Sequence, residues 1–191
     1  MLKKITLIAA SAASAFALNS AGVNINNEDL ELNAKLDIGQ FNDSVEPESM
    51  FVGARYLDAD NSSAINNDAL YEMSFLMKKP MGESGFNVGL GIKANYTKDY
   101  ITLPLGIEFG YALPAVKLVP MSLHADIYYA PQVLSFSNAQ RYFEYRLEYD
   151  AEVIEHGHVI IGYRHIATDY NDVRGDFTYN ASAYIGFNFE F

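Results

Sequence analysis

The chain ends in the stretch Phe177-Thr178-Tyr179-Asn180-Ala181-Ser182-Ala183-Tyr184-Ile185-Gly186-Phe187-Asn188-Phe189-Glu190-Phe191, in which apolar and polar side chains alternate. A period of two places every second side chain on the same face of a β-strand. One face carries no polar group except a tyrosine hydroxyl, and its members are Phe177, Tyr179, Ala181, Ala183, Ile185, Phe187, Phe189 and Phe191. Strands of soluble sandwiches also alternate, but they rarely run this long. The stretch predicts a long strand with one apolar face.

The same period recurs upstream in segments of roughly ten residues. These segments are 29–40, 49–58, 69–78, 86–96, 100–111, 121–130, 140–149 and 157–167. Ile160 and Ile166 are out of phase with their segment. Pro104 lies inside another segment, where it predicts a bulge or a local irregularity because proline cannot donate a ladder hydrogen bond. No stretch has a convincing helical period.

This pattern favours a barrel in lipid over a soluble sandwich. In hydrocarbon every backbone polar group must be paired, so a β-protein spans only as a closed barrel, apolar outside and polar inside. Only 19% of the residues are charged, and many of those in strands share the face opposite the apolar one. Tyrosines near strand ends are typical of aromatic girdles, and they are Tyr56, Tyr71, Tyr96, Tyr111, Tyr129, Tyr149, Tyr163 and Tyr179. We expect an all-β transmembrane antiparallel up-and-down β-barrel.

Both termini of a bacterial barrel normally face the periplasm, which requires an even number of strands. Val23 and Ile25 add a weak strand to the segments above, so we expect about ten strands, with eight as the alternative. Counting back from Phe191, the connections near residues 60–68, 131–139 and 168–176 face outward. Those near residues 80–84, 112–120 and 151–156 face the periplasm.

The first segment, residues 1–21, predicts a signal peptide. Lys3 and Lys4 precede the apolar stretch Ile5–Leu18, and Ala15-Phe16-Ala17 forms a small-x-small cleavage site. The apolar stretch is shorter than the roughly 20 residues that a spanning helix needs. We expect cleavage after Ala17 or Ala21, which leaves residues 22–191 as the barrel domain.

Composition excludes several kinds of function. The chain has no cysteine, which removes disulfides, thiolate nucleophiles and cysteine-based zinc sites. The formal net charge is −11, and loss of Lys3 and Lys4 makes the protein more acidic. Nucleic acid is therefore an unsuitable partner, because binding it requires a basic surface.

Two resemblances extend this interpretation. The final strand resembles the aromatic C-terminal strands, with phenylalanine last, by which the barrel assembly machinery recognises outer-membrane proteins. The order of Tyr128-Tyr129-Ala130-Pro131, residues 141–149, Ile161-Gly162-Tyr163-Arg164-His165 and residues 184–189 resembles the YfaZ family. The segment 30–40 is longer and more charged than expected of that family. The resemblance implies export through the periplasm to the Gram-negative outer membrane and a barrel fold, and it implies no known reaction.

Two sets of residues are candidates for function. The first is a charge network in the lumen, formed by Glu31, Lys35, Asp37, Arg55, Glu72, Lys93, Glu108, Asp126, Glu144, Arg146, Glu148 and Arg164. A barrel of eight strands is filled by its own side chains, and ten strands leave little more room, so these charges should pair. The second is the C-terminal insertion strand, with Tyr179, Ile185, Phe187, Phe189 and Phe191 facing lipid.

Other constellations are weaker. Ser122, His124 and Asp126 share one strand face, as polar residues in any barrel lumen do, and we expect no catalytic residues. His156 and His158 at a predicted turn lack an evident third metal ligand. Asp169, Asp172 and Asp176 lack calcium-loop spacing, while Arg141 and Arg174 near the outer rim are candidates for contacting lipid phosphates. We expect no metal and no cofactor.

Three functions remain. The favoured one is a monomeric barrel with a structural, lipid-organising or binding role, whose partners are outer-membrane lipid, lipopolysaccharide and, during biogenesis, the assembly machinery and periplasmic chaperones. The alternative is a narrow channel for small solutes. An enzyme that modifies lipid A or cleaves peptides is the third.

Overall fold

The computed structural model describes residues 20–42, 44–59, 68–114, 119–170 and 176–191. Its strands are β1 (Ser20–Ile25), β2 (Asp29–Asp37), β3 (Met50–Ala59), β4 (Leu70–Pro80), β5 (Phe86–Tyr96), β6 (Tyr100–Thr102), β7 (Leu105–Ala112), β8 (Met121–Ala130), β9 (Ser135–Ser137), β10 (Ala139–Ile154), β11 (Gly157–Tyr170) and β12 (Asp176–Glu190). Short 3₁₀ helices, Ile38–Gln40 and Gln132–Leu134, follow β2 and β8. In the described part of the chain, no helix is long and apolar enough to cross a membrane. The expected cleavage after Ala17 lies outside the described residues.

Ten strands close into an antiparallel barrel. Their order around the ring is β1, β2, β3, β4, β5, β7, β8, β10, β11 and β12, and β12 pairs with β1. The closing ladder runs from Ser20 opposite Glu190 to Ile25 opposite Ile185. The expected fold is confirmed, with ten strands and not eight, because the weak pattern around Val23 and Ile25 forms β1.

The irregularity predicted at Pro104 is confirmed. β6 and β7 keep one register on β5, from Asn95 opposite Thr102 to Ile92 opposite Leu105. On the other side the partner changes, since β7 pairs with β8 whereas β6 pairs with β9. Pro104 lies at this change, where its carbonyl accepts from the backbone nitrogen of Lys93 at 2.9 Å. The proline therefore marks the point at which the chain leaves the regular ladder.

The predicted apolar face of β12 is wrong at its outer end. A bulge separates the pairs Ile166–Asn180 and Ala167–Thr178, so the register between β11 and β12 skips Tyr179. The extra residue reverses the alternation, because one inserted residue turns all following side chains to the other face. Phe177 and Tyr179 therefore point into the barrel, while Ile185, Phe187, Phe189 and Phe191 are exposed on the outer wall.

The outer wall is apolar and partly girdled by tyrosines. Tyr56, Tyr71 and Tyr96 are paired across β3, β4 and β5, with ring centroids 5.3 and 6.3 Å apart. Tyr111 stacks on Phe86 at 4.2 Å near the opposite end. Ile160 and Ile166, which are out of phase in the sequence, are buried because they face inward.

Candidate functional site: the barrel lumen

A connected group of charged side chains fills the middle of the lumen. This ion-pair layer consists of Asp29, Glu31, Arg55, Glu72, Lys93, Glu144, Arg146, Glu148 and Arg164. Each residue lies on the inward face of its strand, since side chains at every second position point to the same side. The layer brings residues of six strands, β2, β3, β4, β5, β10 and β11, to one depth of the barrel because the strands are tilted and staggered.

Glu31 is the acceptor shared by three arginines. Its oxygens accept from Arg146 at 3.0 and 2.8 Å, Arg164 donates to Oε2, and Arg55 lies 3.7 Å away. The side chain is fully buried. Burial of a single carboxylate is costly, and the bidentate arginine contacts offset that cost.

Arg55 crosses the lumen. It belongs to β3 and contacts Glu144 on β10, which is separated from β3 by four strands in either direction around the ring. The distance from Nη1 of Arg55 to Oε1 of Glu144 is 2.8 Å, and Nη2 also binds Glu72. Lys93 reaches the same two carboxylates at 3.1 and 3.5 Å. Opposite walls are thus tied together through the centre of the barrel.

An apolar cluster lies on the outer side of the ion-pair layer. It is formed by inward-facing residues near the outer ends of the strands, which are Leu57, Ala59, Leu70, Tyr100, Ala130, Ala139, Tyr142, Ile166, Tyr170 and Tyr179. The Tyr100 ring lies 6.2 Å from that of Tyr142 and 6.1 Å from that of Tyr170. Tyr142 joins the two layers, because its hydroxyl donates to Oε2 of Glu144 at 2.7 Å. Tyr179 donates to the carbonyl of Asp68 at 2.8 Å.

Two buried tyrosines lie on the wall next to the ion-pair layer, towards the periplasmic half of the lumen. Tyr128 lies flat on the wall, since a Cβ at Gly91 would be 2.1 Å from its hydroxyl and one at Gly106 2.4 Å from its ring. Tyr184 covers Gly162 in the same manner. The two hydroxyls donate to Glu108 and Glu148, each at 2.6 Å. Ser122, His124 and Asp126, which lie nearer the periplasmic end of β8, are only half-buried.

The predicted network divides into three groups. Eight of its residues belong to the ion-pair layer, and Glu108 binds Tyr128 below it. Asp126 faces Glu108 and Arg146 on the neighbouring strands. Lys35 and Asp37 lie elsewhere: Lys35 is exposed and lies 5.6 Å from the Phe51 ring, whereas Asp37 accepts from the backbone nitrogens of Gly39 and Glu48 at 2.9 and 2.6 Å. Asp37 thus caps the 3₁₀ helix Ile38–Gln40, which alternation could not predict because it does not distinguish the depth of a residue.

Sequence reasoning missed a polar group beside the layer. Oδ2 of Asp29 accepts from Asn26, Asn180 and Ser182 at 2.7, 2.8 and 2.6 Å, and Asn26 also donates to the carbonyl of Ala183 at 3.2 Å. The backbone ladder between β1 and β12 ends at Ile25. Beyond that point these side-chain contacts join the β1–β2 turn to β12. Asp29 shares the parity of Glu31, which is the signal that could have identified it.

The catalytic and metal constellations are incomplete. The distance from Ser122 Oγ to His124 Nε2 is 2.9 Å, but no described carboxylate is hydrogen-bonded to His124. His158 binds Asp150 at 2.7 Å, whereas His156 is exposed and 3.9 Å from Glu155. Among the described residues, no group of three or more candidate ligands is placed to hold a metal ion.

Basic residues at the outer rim have acidic partners. Arg141 binds Asp169, and Lys98 binds Asp68. The hydrogen bond from Lys98 to Asp68 raises the pKa of this exposed ammonium. Arg174 and Asp172 lie outside the described residues.

Comparison with known proteins identifies the family. The family described as YfaZ precursor matches residues 2–191. The chain belongs to the YfaZ family. This YfaZ-family chain is a ten-stranded β-barrel of the outer membrane. No curated protein matches its sequence.

Two solved structures resemble the YfaZ-family barrel. One is described as KdgM porin, with 6% sequence identity and a TM-score of 0.47, covering 90% of this chain and 98% of that one. The other comes from a study titled "Unveiling the Mechanism Behind the in-meso Crystallization of Membrane Proteins". It has 13% identity and a TM-score of 0.40, and covers 91% of this chain and 83% of that one.

Proposed function

We propose that this protein is a sealed outer-membrane barrel that acts through its outer surface, in a structural or lipid-organising role, and not through its lumen. The observation that carries the proposal is the contact between Arg55 and Glu144, which joins opposite walls across the lumen. The apolar cluster on its outer side forms a second barrier. A solute that passed through would have to displace both.

The energetics support a closed state. A charge that loses its partner in a dry interior is costly, typically by roughly 3–5 kcal/mol, and Glu31 and Glu144 each hold several cations at once. Opening a path through the layer would break several such contacts together. The layer therefore resists rearrangement, in contrast to the water-filled lumen of a large porin.

The alternative is a narrow channel for small solutes. The half-buried side chains near the periplasmic end of the lumen favour it. The ion-pair layer and the apolar cluster would then be the two barriers between the periplasm and the outside. A role as an enzyme has weaker support, since the Ser122–His124 pair lacks a hydrogen-bonded acid among the described residues.

An outer-membrane barrier assay distinguishes the three functions. A strain that lacks the protein should take up more of a hydrophobic fluorescent dye, and the unmodified protein should restore the barrier. Unchanged dye uptake together with slower uptake of a small solute would overturn the proposal in favour of the channel. The matched variants Ser122→Ala and His124→Ala should restore the barrier fully, and their failure while folding normally would favour an enzyme.

A further inference from the structure

A small flap stands above the barrel where the regular ladder ends. This outer flap consists of β6 and residues 132–137. The pairs Ile101–Phe136 and Thr102–Ser135 hold it together, and the backbone nitrogen of Leu103 donates to the carbonyl of Leu134 at 2.9 Å. Its inner side is anchored, since Tyr100 is buried in the apolar cluster.

The outer side of the flap is apolar and uncovered. Val133, Phe136 and Ile101 are 80%, 45% and 41% exposed. Ile101 on β6 and Leu105 on β7 share the outward face, because both strands keep one register on β5. Leu105 lies nearer the periplasm and is 53% exposed. The flap surface is thus continuous with the lipid-facing wall. Apolar surface of this kind marks an interaction site when it is exposed.

The strand registers place the flap above the wall. One row of paired outward residues climbs the barrel from the periplasmic end of β8 to the flap, through Met121, Ala151, Val159, Phe187, Val23, Leu32, Tyr56, Tyr71, Tyr96, Ile101 and Phe136. A strand spacing of about 4.8 Å at a tilt of about 40° raises the row by about 3 Å per strand. Phe136 then lies about 30 Å above Met121, beyond a lipid-facing band of about 25 Å.

On the wall opposite the flap, the strands end in a polar turn on the outer side. β1 lies across the barrel from β7, with four strands between them in either direction. The turn after β1 is the polar Asn26-Asn27-Glu28, and Asn27 and Glu28 are exposed. The apolar surface is therefore taller on the side of the flap than at this turn.

We propose that acyl chains of outer-leaflet lipid cover the outer side of the flap. Lipid is the occupant that the lipid-facing wall already contacts, and the exposed flap residues Val133, Phe136 and Ile101 carry no charge that would favour headgroups or water. A wall of unequal height requires the bilayer to thicken beside the flap or the barrel to tilt. The flap thus gives the barrel a preferred side for lipid contact.

Single tryptophans test this directly, because the chain contains none. The variants Phe136→Trp and Val133→Trp are refolded into vesicles of dioleoylphosphatidylcholine mixed with its acyl-brominated analogue. Val133 is the more exposed of the two positions, so its substitution disturbs the fold less. Leu105→Trp serves as the control within the lipid-facing wall, and Asn27→Trp as the control in the polar turn.

We expect bromine to quench both flap tryptophans about as strongly as Leu105→Trp, with blue-shifted emission, and to leave Asn27→Trp almost unquenched. Quenching of the flap tryptophans by aqueous iodide, with emission like that of Asn27→Trp, would overturn the proposal. Protection from both quenchers would also overturn it, because the flap would then be covered by the protein itself or by a second copy of the chain, and not by lipid.

Discussion

At the scale of single residues, Glu144 is the acid through which opposite walls of the barrel are joined. It accepts from Tyr142 and binds Arg55 and Lys93 while fully buried. Glu144→Ala should lower the free energy of unfolding by roughly 3–5 kcal/mol, because it leaves buried cations without a partner. Urea unfolding in lipid vesicles, read by the gel shift between folded and heated protein, measures the loss.

The matched control is Asp169→Ala at the outer rim. Asp169 also pairs with an arginine, but the Arg141 side chain is 56% exposed, so the loss should be only about 0–1 kcal/mol. Equal losses for the two variants would contradict the assignment of the ion-pair layer as the stabilising centre of the lumen.

The position of Ser20 and Ala21 bears on signal-peptide cleavage. Both are paired on two sides, with Glu190 and Phe189 on β12 and with Lys35 and Ala34 on β2. Cleavage after Ala21 would shorten the strand that closes the barrel. We therefore predict cleavage after Ala17, so that mass spectrometry of the mature protein finds Leu18 first, and a mature chain that begins at Gly22 would refute this.

Alternation indicated which residues face inward but not which of them meet. Glu31, Glu72 and Arg164 could be assigned to the lumen by parity alone. Their partners depend on the stagger between distant strands, which a single sequence does not reveal. For the same reason the alternation groups Lys35 and Asp37 with the network, although both lie apart from it, near the periplasmic end of the barrel.

At the scale of secondary-structure elements, β12 presents its lower half to lipid. Ile185 is 53% exposed on the outer wall and lies near the middle of the lipid-facing band. Ile185→Arg should cost about 2–4 kcal/mol in folding free energy, because the bilayer midplane disfavours a guanidinium. Equilibrium folding into vesicles measures the change.

Thr178→Arg is the control on the same strand. Thr178 is exposed at the outer end of β12, beyond the bulge, where an arginine can reach water and the cost should be about 0–1 kcal/mol. A penalty as large as that of Ile185→Arg would mean that the whole of β12 lies in the hydrocarbon.

Phe191 follows the last strand and packs against Phe189, with ring centroids 5.2 Å apart. We propose that it serves recognition by the assembly machinery more than stability, since it is 52% exposed. Deleting Phe191 should sharply reduce insertion in cells while leaving refolding in detergent nearly unchanged. Equal loss in both settings would instead assign Phe191 a structural role.

The bulge of β12 shows where element prediction from sequence ends. Phe177 and Tyr179 share the period of two with Phe187, Phe189 and Phe191. The sequence therefore contains no signal that the two faces are exchanged at the bulge. The reversal depends on β11, where Ile166 and Ala167 take partners on either side of Tyr179. Pro104, by contrast, was identifiable because its missing donor is a property of the residue itself.

At the scale of the whole molecule, the barrel consists of three regions along its axis. The apolar cluster lies outermost, the ion-pair layer crosses the middle, and the periplasmic half contains half-buried side chains such as His124. The number of strands followed from the periodicity and the even-number rule. The order of the regions did not, because it depends on the height at which each inward residue lies.

The most direct test is the conductance of the unmodified mature protein in a planar bilayer, with insertion verified by the gel shift of the folded form. A lumen crossed by Arg55 and Glu144 should give no steady current, with conductance far below that of a porin. Arg164→Ala or Arg146→Ala should add brief leaks, because each removes a cation from Glu31. Steady porin-like currents from the unmodified protein would contradict the sealed lumen and establish the channel in its place.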